Sequence, residues 1–168
     1  MALEYDDIPR TADERTTLLS FLAWQRETVE RKCAGLTDEQ LRLRSAPPST
    51  LSLLGLVRHL ADVERGWLRR TLGGDTTLPV RFSTDDDPDG DFDNVDSADV
   101  HETFAAWREE RDLGDRVIEQ HQLDDIVRHR TGREVSMRWI LTHLIEEYSR
   151  HNGHADLLRE RIDGATGY

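Results

Sequence analysis

The densest run of side chains able to do chemistry lies toward the C-terminal end, where His143, Glu147, His151 and His154 follow one another at steps of three and four. On an α-helix, at about 100° per residue, they fall at roughly 0°, 40°, 80° and 20°, so all four share one arc. That arc overlaps an apolar stripe made by Met137, Leu141, Leu144, Tyr148, His151, Ala155, Leu158 and Ile162. A carboxylate facing a helical core is costly unless it is paired or bound to a cation. Glu147-x-x-x-His151 sets an oxygen and an imidazole one turn apart, so the two can converge on one metal, as the i, i+4 pair of zincin helices does.

A divalent ion needs a third protein ligand. His59 offers one, because Leu56 and Val63 flank it at helical spacing and turn it inward. His59, Glu147 and His151 would form a two-His, one-carboxylate set that keeps a position for water or substrate. His143 sits two turns from His151, about 12 Å along the axis, too far to share an ion with it. His154 could replace Glu147 as the companion of His151 or support it from behind. A lone inward histidine is more often a hydrogen-bonded core residue than a ligand; here the coincidence of Glu147, His151 and His154 opposite His59 favours a metal. His101, His121 and His129 have no comparable setting and read as surface or connector residues.

A second constellation resembles a calcium loop. Asp85, Asp87, Asp89, Gly90, Asp91, Phe92, Asp93 and Asp96 match much of an EF-hand spacing. Three details oppose it: position 12 is Asp96 rather than Glu, Pro88 interrupts the loop, and Pro79-Val80-Arg81-Phe82 is a poor incoming helix. A solvated acidic connection is the better reading.

Four long helical patterns must carry these residues, and no segment reads convincingly as a strand. Thr11-Ala12-Asp13-Glu14 reads as a capping box, followed by the stripe Leu18, Leu22, Gln25, Val29, Cys33 and Leu36. A second box, Thr37-Asp38-Glu39-Gln40, opens a short helix that Pro47-Pro48 prevents from continuing. The second long helix should run from about Ser52 to Leu72 with Leu53, Leu56, Leu60, Val63 and Trp67 inward, ended by Gly73-Gly74. Ser97 reads as the cap of the third, which carries Val100, Phe104, Trp107 and Ile118 and reaches Gln120; Ser136 caps the fourth and Gly164 lies past its end. Helices of this length would span about 30–39 Å and point to an all-α four-helix bundle. The link 73–96 is long enough to cross it, so helices two and three are expected to run parallel. Residues 1–168 read as a single domain, with 73–96 as an acidic crossover.

Composition narrows the function. The chain has 168 residues, 36% hydrophobic and 33% charged, a balance that could signal disorder were the apolar residues not arranged in stripes. No apolar run is long enough to span a membrane, and Met1-Ala2-Leu3-Glu4-Tyr5-Asp6-Asp7 lacks the features of a signal peptide, so a cytoplasmic protein is expected. A net charge of −12 argues against a nucleic-acid partner. Cys33 is the only cysteine, which excludes an internal disulfide and a thiolate zinc site; on the stripe of helix one it reads as a packing residue. There is no Gly-rich phosphate loop, Walker motif or nucleophile elbow.

Leu56-Val57-Arg58-His59-Leu60-Ala61-Asp62-Val63-Glu64, taken with His143-Leu144-Ile145-Glu146-Glu147-Tyr148-Ser149-Arg150-His151-Asn152-Gly153-His154-Ala155-Asp156, resembles the DinB/YfiT-like superfamily of four-helix-bundle metalloenzymes. The resemblance implies an up-down-down-up topology. That superfamily usually carries one His on helix two and His-x-x-x-His on helix four. Glu147 in place of the first His of that pair resembles instead the branch of mycothiol-dependent maleylpyruvate isomerase and the mycothiol S-transferases. By that resemblance His59, Glu147 and His151 are metal ligands, the metal is zinc with nickel, iron or manganese as alternatives, and mycothiol is the co-substrate that attacks an electrophile. An arginine-rich chain whose one lysine is Lys32 fits a GC-rich, mycothiol-using bacterium. Arg58 and Arg150, beside ligands in sequence, are candidate anion contacts for the cofactor, although each points off the metal face. His154 is a candidate for an acid–base role or for support of a ligand. Homodimerisation through an apolar helix face is compatible with the resemblance, but no stripe requires it. Two alternatives stay open: a hydrolase or isomerase using water in place of a thiol, and a non-catalytic, stress-associated bundle with a closed metal site.

Overall fold

The computed structural model describes residues 5–167, so the reading of Met1–Glu4 lies outside the described residues. Helices α1 (Glu14–Cys33), α3 (Leu53–Glu64), α5 (Val100–Glu119) and α6 (Met137–Asp163) make the bundle, with a short α2 (Asp38–Arg42) before α3. Among the described residues no helix is long and apolar enough to cross a membrane.

The helix starts follow side-chain chemistry. Ser52 and Ser136 cap α3 and α6, their hydroxyls accepting from the N–H groups of Gly55 and Trp139, each at 3.1 Å. The Thr37–Gln40 capping box forms as the sequence predicts. Two caps fall two residues beyond their predicted positions. Asp13, not Thr11, accepts from the Thr16 N–H at 3.0 Å, and Asp99, not Ser97, accepts from Glu102 at 2.8 Å. In both windows an aspartate competes with a hydroxyl, and the carboxylate also favours the positive end of the helix dipole. At the other end of α6, Gly164 adopts φ 78°, the left-handed closure glycine allows without strain.

Contacts along the helices establish the topology. Helices α1 and α6 run parallel: Glu14 meets Arg138, Gln25 meets Asn152, and the Lys32 carbonyl meets Arg159. Against α5, α1 is antiparallel, with Arg15 on Ile118, Arg26 on Asp115 and Glu30 on Arg108. Against α6, α3 and its extension are antiparallel, with His59 near His151, Glu64 on Tyr148 and Trp67 near His143. The result is the expected up-down-down-up bundle.

The α3 helix passes without a break into a π-helical stretch, Arg65–Leu72. The Gly73 N–H donates to the Leu68 carbonyl five residues back, at 2.8 Å. This widened turn packs closely on α5: a Cβ on Gly114 would come within 2.5 Å of Leu68 Cδ1, so any larger residue there would make Leu68 move. π-Helical segments often mark functional sites.

The core is mainly aliphatic, with Leu22, Leu54, Leu60, Ile140 and Leu144 buried together with the ring of Trp107. One polar network crosses it. Arg26 of α1 grips Glu64 of α3 through two bonds of 2.7 Å; the Tyr148 hydroxyl of α6 donates to the same carboxylate at 2.7 Å and accepts from Trp107 Nε1 of α5 at 2.8 Å. Burial, first, and the Glu64 charge push the Tyr148 phenol well above its ordinary range, so it remains a donor.

Two expectations are corrected. The crossover is more than a solvated acidic strap. It contains a short helix α4 (Gly90–Asp93), and Asp91 and Val95 within it are buried. The calcium-loop reading finds no support: Asp87 accepts from Asn94 at 2.7 Å, Asp91 turns into the bundle, and among the described residues no ligand cluster is drawn from 85–96. The connector before α6 is also not featureless. Strands β1 (Ile126–Arg128) and β2 (Glu134–Ser136) form an antiparallel hairpin with Val127 opposite Val135, closed around Thr131-Gly132. Strands of three residues are too short to display period-two alternation. The hairpin packs on the π-helical stretch.

Candidate metal centre

Helix α6 offers Glu147 and His151 one turn apart, and α3 brings His59 to face them. His151 Nε2 lies 3.4 Å from Glu147 Oε2, and His59 Nε2 lies 3.9 Å from the same oxygen. One donor atom from each residue falls within 4.8 Å of the other two. A tetrahedral zinc with bonds of about 2.0–2.1 Å sets its ligand atoms about 3.3 Å apart, so the set fits such an ion after a small inward shift of His59. Two imidazoles and a carboxylate also suit iron, nickel and manganese.

Neighbouring groups orient the donors. Asp91 Oδ2 lies 2.8 Å from His59 Nδ1; with the proton on Nδ1 donated to that carboxylate, the Nε2 lone pair faces Glu147. The ring of His59 also stacks on Phe92, 5.0 Å between centroids. Burial, above all, and the neighbouring His59 and His154 push the His151 imidazole down to about 4, so it is neutral with a free lone pair near pH 7. His154 Nδ1 sits 3.3 Å from His151 Nδ1, on the side of the ring away from Glu147. His143 belongs to a separate group with Glu146 and Glu147, its Nε2 3.7 Å from Glu147 Oε1, and its ring stacks on Trp139.

The two arginines beside the ligands have different surroundings. Arg58 is buried and donates to the carbonyls of Asp91 and Gly90 at 2.8 and 2.9 Å, with its guanidinium 4.1 Å from the Phe82 ring centroid. It fastens α4 to α3. Arg150 is exposed, paired with Glu146, and its Nη1 is 3.8 Å from Glu147 Oε1.

A cleft of about 490 Å³ opens beside His59 between the π-helical stretch, the crossover and the hairpin. Trp67 stands in its wall with His129 stacked on it at 4.9 Å, so His129 is part of the site's surroundings rather than an isolated connector residue. Glu147 and His151 are not in the lining of the cleft, which meets the metal centre through His59 and Asp91. Sequence reasoning missed Asp91, Trp67 and the hairpin. For Asp91 a signal existed: Phe92 and Val95 are apolar residues at helical spacing within a polar stretch.

Fold and site together define a four-helix-bundle protein with a two-His, one-carboxylate donor set. The chain belongs to the mycothiol-S-transferase family, whose sequence profile matches residues 17–164. A solved structure of similar fold is YfiT from Bacillus subtilis, described as "a probable metal-dependent hydrolase with an unusual four-helix bundle topology"; it is 16% identical, with a TM-score of 0.67 over 94% of each chain. No curated protein matches the sequence.

Proposed function

We propose that the protein is a divalent-metal-dependent S-transferase that joins mycothiol to a small electrophile. One observation carries the reading: His59, Glu147 and His151 bring a donor atom each within 4.8 Å of one another, beside a cleft that His59 lines, in a chain of the mycothiol-S-transferase family. Among the described residues three converge, whereas a structural zinc site brings four; His154 faces the outer nitrogen of His151 instead. This supports an enzyme over a closed, non-catalytic site.

A divalent ion at this donor set, zinc being the best match, lowers the pKa of a thiol and so raises the share of nucleophilic thiolate at neutral pH. The chain's residues do the rest. Asp91 holds His59 in the tautomer that presents Nε2. His154 takes the Nδ1 proton of His151 in a hydrogen bond, which makes it a positioning residue in preference to a general acid or base. Trp67 and Phe92 give the cleft apolar walls that displace water from the electrophile. Arg150 stays a candidate contact for a bound anion, while Arg58 acts by fixing the segment that carries Asp91. In the net reaction a sulfur–carbon bond forms, the bond to the leaving group breaks, and the thiol proton passes to solvent.

Elemental analysis of purified protein, followed by mycothiol consumption with monobromobimane, tests the reading. The expected result is roughly one divalent ion per chain, with consumption abolished by chelation and in His59→Ala and His151→Ala. Failure to take up metal, or consumption indifferent to it, would overturn the reading. Turnover of an ester or amide without added thiol would place the chemistry with hydrolases.

A further inference from the structure

The cleft that begins at His59 ends among guanidinium groups left without acidic partners. Many arginines are held by carboxylates or carbonyls: Glu110 takes Arg65, Arg69 and Arg81, Glu30 takes Arg108 and Arg111, and Arg15, Arg58 and Arg161 donate to backbone carbonyls. Arg70 and Arg130 differ. Both line the cleft, neither has an ion pair or hydrogen bond among the described residues, and Arg70 Nε is shut away from solvent without an acceptor. In a chain of net charge −12, two unpartnered guanidinium groups in one cleft run against composition.

The carboxylates of the cleft do not cancel them. Asp62 is occupied by the N–H groups of Arg81, Phe82 and Ser83, and Asp91 by His59 and Phe92. Asp89 is exposed. Arg128, at the mouth, is already 3.5 Å from Glu134. Burial, then the nearby Arg130, Arg133 and Arg70, push the His129 imidazole below its ordinary value. The rings of Trp67 and Phe92 line the same cleft, Phe92 stacked on His59 and Trp67 on His129.

We propose that the electrophile carries an oxyanion, a carboxylate or its equivalent, that docks on Arg70 and Arg130 while its apolar body lies against Trp67 and Phe92 and its reactive carbon faces His59. The reaction in this assignment rests on the thiol-transfer reading; the docking does not. Charge-assisted bonds to guanidinium are among the stronger polar contacts, and a planar fork suits a carboxylate.

Two measurements separate the readings. In the first, the metal-loaded protein is titrated calorimetrically with unreactive 3,5-dinitrobenzoate and with uncharged 3,5-dinitrobenzamide. The benzoate should bind more tightly, and Arg70→Gln and Arg130→Gln should each weaken it about tenfold. Equal affinity for the two probes, or benzoate binding untouched by both substitutions, overturns the docking site. Arg130 is exposed on the hairpin, so its variant decides the matter if Arg70→Gln fails to fold. In the second, mycothiol sulfur displaces chloride from 4-chloro-3,5-dinitrobenzoate or from its uncharged parent 2-chloro-1,3-dinitrobenzene, forming C–S, breaking C–Cl and releasing a proton. Normalised to the uncatalysed rates, the preference for the carboxylate in kcat/KM should fall about tenfold in either variant, while KM for mycothiol holds. Charge-blind turnover overturns the docking site and keeps the transferase; charge-dependent binding without turnover does the reverse.

Discussion

His59 and Asp91 stand 32 positions apart in sequence and meet at 2.8 Å, Nδ1 against Oδ2. The bond joins a bundle helix to the crossover and sets which nitrogen of His59 faces Glu147 and His151. Arg58 holds the backbone of the same segment through the carbonyls of Gly90 and Asp91. Adjacent residues of α3 thus take the main chain and the side chain of one acidic residue.

Asp91→Ala should lower metal affinity about 10- to 100-fold without removing a ligand. Competition against a chromogenic chelator measures this, and unchanged affinity would show that His59 needs no orienting partner.

Arg58→Ala should weaken metal binding in the same direction, because the helix carrying Asp91 loses its anchor, and leave KM for mycothiol near wild type. A rise in KM with metal affinity intact would instead make Arg58 a contact for the thiol substrate. The two outcomes are told apart by measuring metal affinity and steady-state kinetics on one preparation.

Cys33 is buried on α1, and burial, followed by the Glu30 charge, pushes its thiol up to about 12. The native protein should therefore be inert to Ellman's reagent at pH 8 and become reactive only in denaturant. Because the folded-state value lies above the unfolded one, the contribution of this group to stability is complete below about pH 9 and declines as pH rises toward 12. Thermal unfolding of wild type and Cys33→Ala should diverge in pH dependence only in that window.

Glu64→Ala should cost about 3–5 kcal/mol, because it strands the buried Arg26 guanidinium and removes the acceptor of Tyr148. Tyr148→Phe, which deprives Trp107 Nε1 of its acceptor, should cost about 1–3 kcal/mol. Urea denaturation followed by circular dichroism gives both values, and a cost below 1 kcal/mol for Glu64→Ala would mean that Arg26 regains solvent.

The bundle was legible because each long helix repeats its apolar residues over several turns, and Ser52, Ser136 and Gly164 mark ends by chemistry that few other residues share. The donor set was legible for the same reason: i, i+4 spacing on a helix is a distance. Asp91 was legible only in part: Phe92 and Val95 mark a buried turn beside it, but within a run of acidic residues only folding decides which carboxylate turns inward. The cap positions Asp13 and Asp99 slipped where two capping residues stood together. The hairpin was hidden by its length, and the π-helical stretch by Leu68 and Leu72, which continue an apolar pattern that looks helical either way.

The four-helix network at Glu64 has a consequence for the life of the metal. Small metal-organised domains collapse when stripped of their ion, because the ion is their core. Here the Glu64 carboxylate of α3 is shared by Arg26 of α1 and Tyr148 of α6, and α5 joins through Trp107 on the Tyr148 hydroxyl, so side chains of all four helices meet with no ion involved. If the donor set holds an ion as proposed, chelation should abolish activity and leave the unfolding midpoint in place, so that metal supply would govern what the protein does without governing whether it lasts.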